Sequence, residues 1–186
     1  MMQAKVTPPS RQSVLIDINV RWLRQALRLV ERLDDDAYST TPRGFAPHRA
    51  GAHLRHILEF YQCFLEGLEY SHIDYDARRR DEAIEHRREA ASAAIRQIIR
   101  TLETSRELRG ERIVWVGMED ADTSATRESF MESSISRELQ VLSSHTVHHF
   151  ALIAMTLRLH GVEMDHDFGM APSTLRYLAS KTAEAA

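Results

Sequence analysis

The sequence predicts an all-α protein: an antiparallel four-helix bundle with a short β-hairpin inserted before the fourth helix and a short helix at the C-terminus. Three observations predict it. Glycine and proline are scarce, seven and five in 186 residues, and they cluster between periodic segments. Apolar residues recur at three- and four-residue spacing along four long segments. Most joins between those segments are short, which makes neighbouring helices antiparallel.

The first helix is expected from about Ser13 to Leu33, with Leu15, Ile18, Trp22, Ala26, Leu29 and Leu33 on one face. "DDDAYSTTPRGFAPHRA" breaks that period and reads as a long loop. A second helix covers roughly Ala50 to Leu68, with Leu54, Ile57, Leu58, Tyr61, Phe64 and Leu65 as its stripe. A third is expected from Ala77 to Leu108, capped by Asp76 and ended by Gly110. Its stripe is Ile84, Ala91, Ile95, Ile98, Ile99 and Leu102. The period then changes. "RIVWVGMED" is β-branched and aromatic, "ADTSAT" reads as a turn, and "ESFMESS" completes a hairpin. A fourth helix starts at Ser134 or Ser136, either able to cap it, and runs to His160, where Gly161 stops it. "STLRYLASKTAEAA" forms the last helix. No fixed-period repeat and no low-complexity tract is present.

The composition, 43% hydrophobic and 27% charged, is that of a globular chain. A net charge of -3 argues against nucleic-acid binding, which needs a basic face. The single cysteine, Cys63, allows no disulfide within the chain and fits a reducing compartment. The N-terminus lacks an apolar core of signal-peptide length, and the longest apolar stretch, around "HHFALIAMTLRL", is too short to span a bilayer. A cytoplasmic protein without membrane partners is expected.

The compositional anomaly is ten histidines. "SSHTVHHFALIAM" places His145, His148 and His149 in an apolar run, although buried ring nitrogens need partners. His145 and His149 are one helical turn apart, on a stripe shared with Leu142, Leu152 and Thr156 that faces the interior. Two imidazoles so spaced can share one metal ion. His148 points about 100° away and suits a supporting role. A third ligand must come from another helix, and "GAHLRHILEF" offers His53 and His56, three apart. Three imidazoles suit zinc, nickel or ferrous iron and leave coordination positions open, the catalytic rather than the structural pattern. Core histidines bonded to carbonyls are the bland alternative.

Other motifs are weaker. "EYSH" and "EMDH" fit the E-x-x-H of di-iron bundles but fall at helix ends. "DHD", Asp165 to Asp167, reads as a solvated turn. "DYDARRRDEAIEHRRE" reads as an exposed, ion-paired helix start, or as an anion clamp built from Arg78, Arg79 or Arg80. Cys63 reads as packing. No Ser-His-Asp order, P-loop or dinucleotide fingerprint is present.

Four long helices, a histidine in "GAHLRHILEF" and the H-x-x-H-H of "SHTVHHFALIAM" resemble the DinB-like superfamily. That group includes damage-inducible bacterial proteins, bacillithiol S-transferase-like proteins and mycothiol-dependent maleylpyruvate isomerases. The resemblance covers residues 12–160 as one bundle domain, with 161–186 appended as a loop and short helix. It implies three histidines around a divalent metal: His145 and His149 from the fourth helix and, from the position of "RAGAHLRH", His56 rather than His53 from the second. His53 and His148 then become supporting or substrate-contact residues, as do Tyr75, Asp76 and Arg78, which follow the second helix. The implied function is a metal-dependent enzyme activating a thiol or water for transfer or hydrolysis of a small molecule, with a low-molecular-weight thiol as a further cofactor and a homodimer compatible with the family. The alternative is a non-catalytic helical dimer that binds a small ligand or a partner protein. A ferritin-like oxidase is a third, requiring paired irons and carboxylates.

Overall fold

The computed structural model describes residues 10–44, 48–117 and 130–184. The N-terminal segment, the hairpin turn "ADTSAT" and the last two residues of the tail lie outside the described residues. Within them the chain is mostly helical and carries a small three-stranded sheet.

Helix α1 spans Arg11–Arg32, and the Ser10 side chain caps it by accepting from the Ser13 amide. The segment expected to be all loop contains a one-turn helix, α2, Asp35–Ser39. Asp34 starts it by accepting from the Ala37 amide, a cap the acidic run conceals among equivalent aspartates. Helix α3 spans Ala50–Gly67. Leu54, Ile57, Leu58, Tyr61 and Phe64 are all buried, as the stripe requires. A Cβ on Gly67 would stand 2.3 Å from the His72 carbonyl oxygen, so only glycine lets the chain fold back so tightly against the end of α3.

That return forms strand β1, His72–Asp74, which the sequence reading did not foresee. Three residues are too few to show a period. β1 pairs in parallel with β2, Ile113–Gly117, with Ile73 opposite Val116. β2 pairs antiparallel with β3, Met131–Ser134, with Val114 opposite Ser133, as the expected hairpin requires. The Tyr75 amide donates to the Gly117 carbonyl at 3.1 Å and extends the pairing one residue into the following loop.

The expected third helix is corrected in three ways. It starts later, it is broken, and it ends earlier. Helix α4 spans Glu82–His86 and is capped by Asp81, whose side chain accepts from the Ala83 amide. Asp76 lies five residues before that cap, and its own amide, with that of Ala77, donates to the Asp74 carboxylate. Arg87 is extended, φ -126° and ψ 116°, and helix α5 follows as Arg88–Thr104. Glu85 lies at the break, turned inward between Arg49 at 3.0 Å and Arg55 at 2.7 Å. Gly110, with φ 87°, lies in a turn well beyond the end of α5. The apolar stripe of α4 and α5 is nonetheless buried from Ile84 to Leu102.

Helix α6 spans Ile135–Leu159, with the Ser134 side chain accepting from the Arg137 amide. Gly161, φ 78°, ends it in the left-handed region. Helix α7 is Pro172–Glu184. Helix α1 packs on α5 and α6, and α3 packs on the same two helices. Leu23, Leu58, Phe64, Ile95, Leu139 and Leu142 are fully buried between them. Each contributes about 1.5–3 kcal/mol relative to exposure.

Candidate metal centre

The facing sides of α3 and α6 carry the histidines. Both are ordinary amphipathic faces whose stripe is interrupted by imidazoles, so packing the apolar residues brings the rings together. One ligand atom each from His56, His145 and His149 lies within 4.8 Å of the others. His56 Nε2 and His145 Nε2 are 3.0 Å apart. Two nitrogens sharing one zinc at tetrahedral angles stand roughly 3.3 Å apart, so this pair is already at chelating separation. The ring centroids of His149 lie 4.6 Å from His56 and 4.5 Å from His145.

The rings are held neutral, the form a metal requires. Burial, then the neighbouring imidazole of His149 and the Arg78 guanidinium, pulls His56 down to about 4. Burial, then His56, pulls His145 down to about 4. Burial, then His145 and His53, pulls His149 down to about 3. His145 Nδ1 and His53 Nε2 are buried nitrogens without a hydrogen-bond partner among the described residues. Gln25 Oε1 and the Nε atoms of Arg49, Arg55 and Arg112 are buried without a hydrogen-bond partner as well, so the orphans are not confined to the histidines.

The other sequence candidates separate clearly. His53 does not join the triad, but its Nδ1 lies 3.1 Å from His149 Nδ1, and its ring stacks on His48 at 5.3 Å. It therefore stands where a supporting group orients a ligand imidazole. His148 is exposed and meets His149 edge-on, centroids 5.2 Å apart. Tyr75 is buried, donates to Glu138 Oε2 at 2.8 Å and stacks on Phe60 at 4.8 Å. Burial, then the Glu138 charge, raises its phenol well above the usual range, so it acts as a donor rather than a base. Asp76 is exposed. Arg78 turns inward, with Nη1 3.0 Å from His56 Nδ1 and its guanidinium 5.0 Å over the Phe60 ring. Of the two arginines that follow it directly, Arg79 pairs with Glu66 and Arg80 is exposed. The charge run is thus not wholly solvated: Glu85 and Arg78 both face inward.

Phe60, Glu138 and His48 are neighbours the sequence reading missed. Phe60 stacks on His145 at 4.1 Å. It lies four residues after His56, so helical spacing alone could have placed it beside that ring. Glu138 lies seven residues before His145, on the same stripe. "EYSH" straddles the turn into β1, and "EMDH" lies in the loop after α6, where Asp165 pairs with Arg32. Neither has helical geometry. Cys63 is half-buried, its thiol pushed up to about 11 by burial. Among the described residues no helix is long and apolar enough to cross a membrane.

No family profile matches the chain, and no solved structure matches it. A curated relative, FK506-binding protein 5 of Rhizopus delemar, is 32% identical over 106 residues. The match takes in 57% of this chain and 27% of that protein, so the chain spans little more than a quarter of the relative's length.

Proposed function

We propose that the chain is a divalent-metal-dependent enzyme of the DinB-like type, with His56, His145 and His149 as ligands. The observation that carries this reading is three neutral imidazoles, drawn from two helices distant in sequence, within 4.8 Å of one another. The mutual packing of α1, α3, α5 and α6 supports an antiparallel four-helix bundle as the architecture. Zinc, nickel and ferrous iron all suit the ligand set. Bound there, the ion supplies Lewis acidity that makes a thiol or water acidic near neutral pH, for transfer or hydrolysis of a small substrate. The chain's own residues do the rest. His53 orients His149, Phe60 walls the site against water, and Tyr75 with Glu138 fixes the loop that carries Arg78. A low-molecular-weight thiol as co-substrate and a homodimer in solution complete the proposal.

The test is elemental analysis of tag-free protein. About one divalent ion per chain is expected, with most of it lost in His145→Ala. Unchanged metal content in that variant refutes the assignment. A non-catalytic ligand-binding protein is the second reading. It is favoured by one observation: the imidazoles are already paired, His56 with His145 and His53 with His149. Protein without stoichiometric metal after growth and refolding in zinc, nickel and iron would support it.

A further inference from the structure

Helix α1 carries a second face beside its apolar stripe. Gln25, Arg28, Leu29 and Arg32 recur at three- and four-residue spacing, so one side of its C-terminal end presents an amide, a leucine and two guanidiniums. Across from them runs the loop after α6, which holds the "DHD" of Asp165 to Asp167. That segment is more than a solvated turn. Phe168 is buried and stacks on Phe150, centroids 4.7 Å apart. Gly169 has φ 75°, and a Cβ on it would stand 2.7 Å from the Ala151 nitrogen, so only glycine lets the loop press so closely on α6. The Phe168 and Met170 amides donate to the Asp165 and Asp167 carbonyls, each at 3.1 Å. The loop is thereby anchored from both its side chains and its backbone.

Between loop and helix lies a groove of about 320 Å³, at the small end of the range for small-molecule sites. Its polar groups are only partly used. Arg32 pairs with Asp165 at 3.3 Å. Arg28 and the Asp167 carboxylate line the same groove with opposite charge, yet among the described residues neither has an ion-pair or hydrogen-bond partner. Gln25 also lines it, and its Oε1 is buried without a partner. An acceptor shut away from water calls for a donor. The two guanidiniums and two carboxylates cancel in charge. A simple anion would meet Asp167 and a simple cation would meet Arg28, so the groove suits a ligand that carries both signs.

We propose that this groove binds a free α-amino acid as its zwitterion. The ligand carboxylate lies on the Arg28 fork, its ammonium between Asp167 and Gln25 Oε1, and its side chain over Leu29 and Phe168. A guanidinium takes a carboxylate through two parallel bonds, and an ammonium offers donors to both oxygen acceptors. None of these residues belongs to the histidine cluster, so the inference stands or falls apart from the metal reading.

The probe is L-leucine, titrated into nitrogen-15-labelled protein. Saturable shifts are expected in the amides of residues 25–32 and 165–170. N-acetyl-leucine lacks the ammonium and leucinamide lacks the carboxylate, so each should bind about tenfold or more weakly, the cost of one charge-assisted contact. Arg28→Ala should weaken L-leucine about tenfold or more and leave leucinamide unchanged. Asp167→Asn should weaken L-leucine and leave N-acetyl-leucine unchanged. Both side chains are exposed, so neither substitution threatens the fold. No saturable shift with L-leucine, or shifts centred elsewhere, overturns the site. Either analogue binding as tightly as L-leucine overturns the zwitterion. Equal L-leucine affinity in Arg28→Ala and the parent overturns the role given to that guanidinium.

Discussion

Tyr61 and His56 lie on one helix, and Thr146 and His145 are neighbours on another, yet the two polar clusters they form obey different rules. Tyr61 donates to Asn19 Oδ1 at 2.6 Å. The Asn19 amide donates to the Leu15 and Leu139 carbonyls at 2.8 and 3.0 Å. Thr146 donates to the Leu142 carbonyl at 2.7 Å. All three side chains are fully buried, and each finds a partner. One turn away the imidazoles are only partly buried, two nitrogens are orphaned, and the rings crowd together with depressed basicity. A satisfied buried network fixes which helix faces which. An unsatisfied one calls for a separate explanation, and a bound ion is the one proposed above.

The sharpest way to break this comparison is to add metal. Zinc at about a hundred times its dissociation constant should stabilise the parent by about 2.7 kcal/mol, read as a rise in the thermal unfolding midpoint. Tyr61→Phe should keep that gain and His145→Ala should lose it. A gain retained in His145→Ala would merge the two clusters into one structural unit. Next in size, Tyr61→Phe without metal should cost about 1–3 kcal/mol in urea unfolding, because Asn19 Oδ1 is left buried and unpaired.

Acid should separate the clusters too. His56, His145 and His149 have folded-state values below the ordinary 6.5, so the unfolded chain binds more protons than the folded one. Stability is therefore unpenalised above 6.5 and falls as the pH drops toward about 4, where His56 and His145 begin to take up protons in the folded state. Unfolding midpoints from pH 7.5 to 4 should show this decline in the parent and a shallower one in His145→Ala. A flat profile would mean that the rings take up protons alike in the folded and the unfolded chain, and would overturn their depressed basicity. The smallest effect is expected for His148→Ala, within about 0.5 kcal/mol and with metal content unchanged, since that ring is exposed.

Much of the fold was legible because helix faces repeat locally. The stripe of α3 and the Ser134 cap of α6 follow from neighbours three and four residues apart. Strand β1 was not legible, since its partner lies some forty residues further along and its three residues carry no pattern. The start of α4 was misplaced because Asp74, Asp76 and Asp81 are equivalent as capping residues until the backbone chooses among them. Arg78 was left among three equivalent arginines for the same reason.

By itself the sequence determined that His145 and His149 share an inward face, and that His53 and His56 offer imidazoles on a second helix. A period of 3.6 residues encodes a direction within one element. Only the tertiary structure decided that His56 meets His145 across 89 residues of chain while His53 supports His149, and that Arg78 turns in where Arg79 turns out. Those choices depend on how α3, α6 and the loop after β1 pack, and packing between distant segments leaves no local trace in the order of residues.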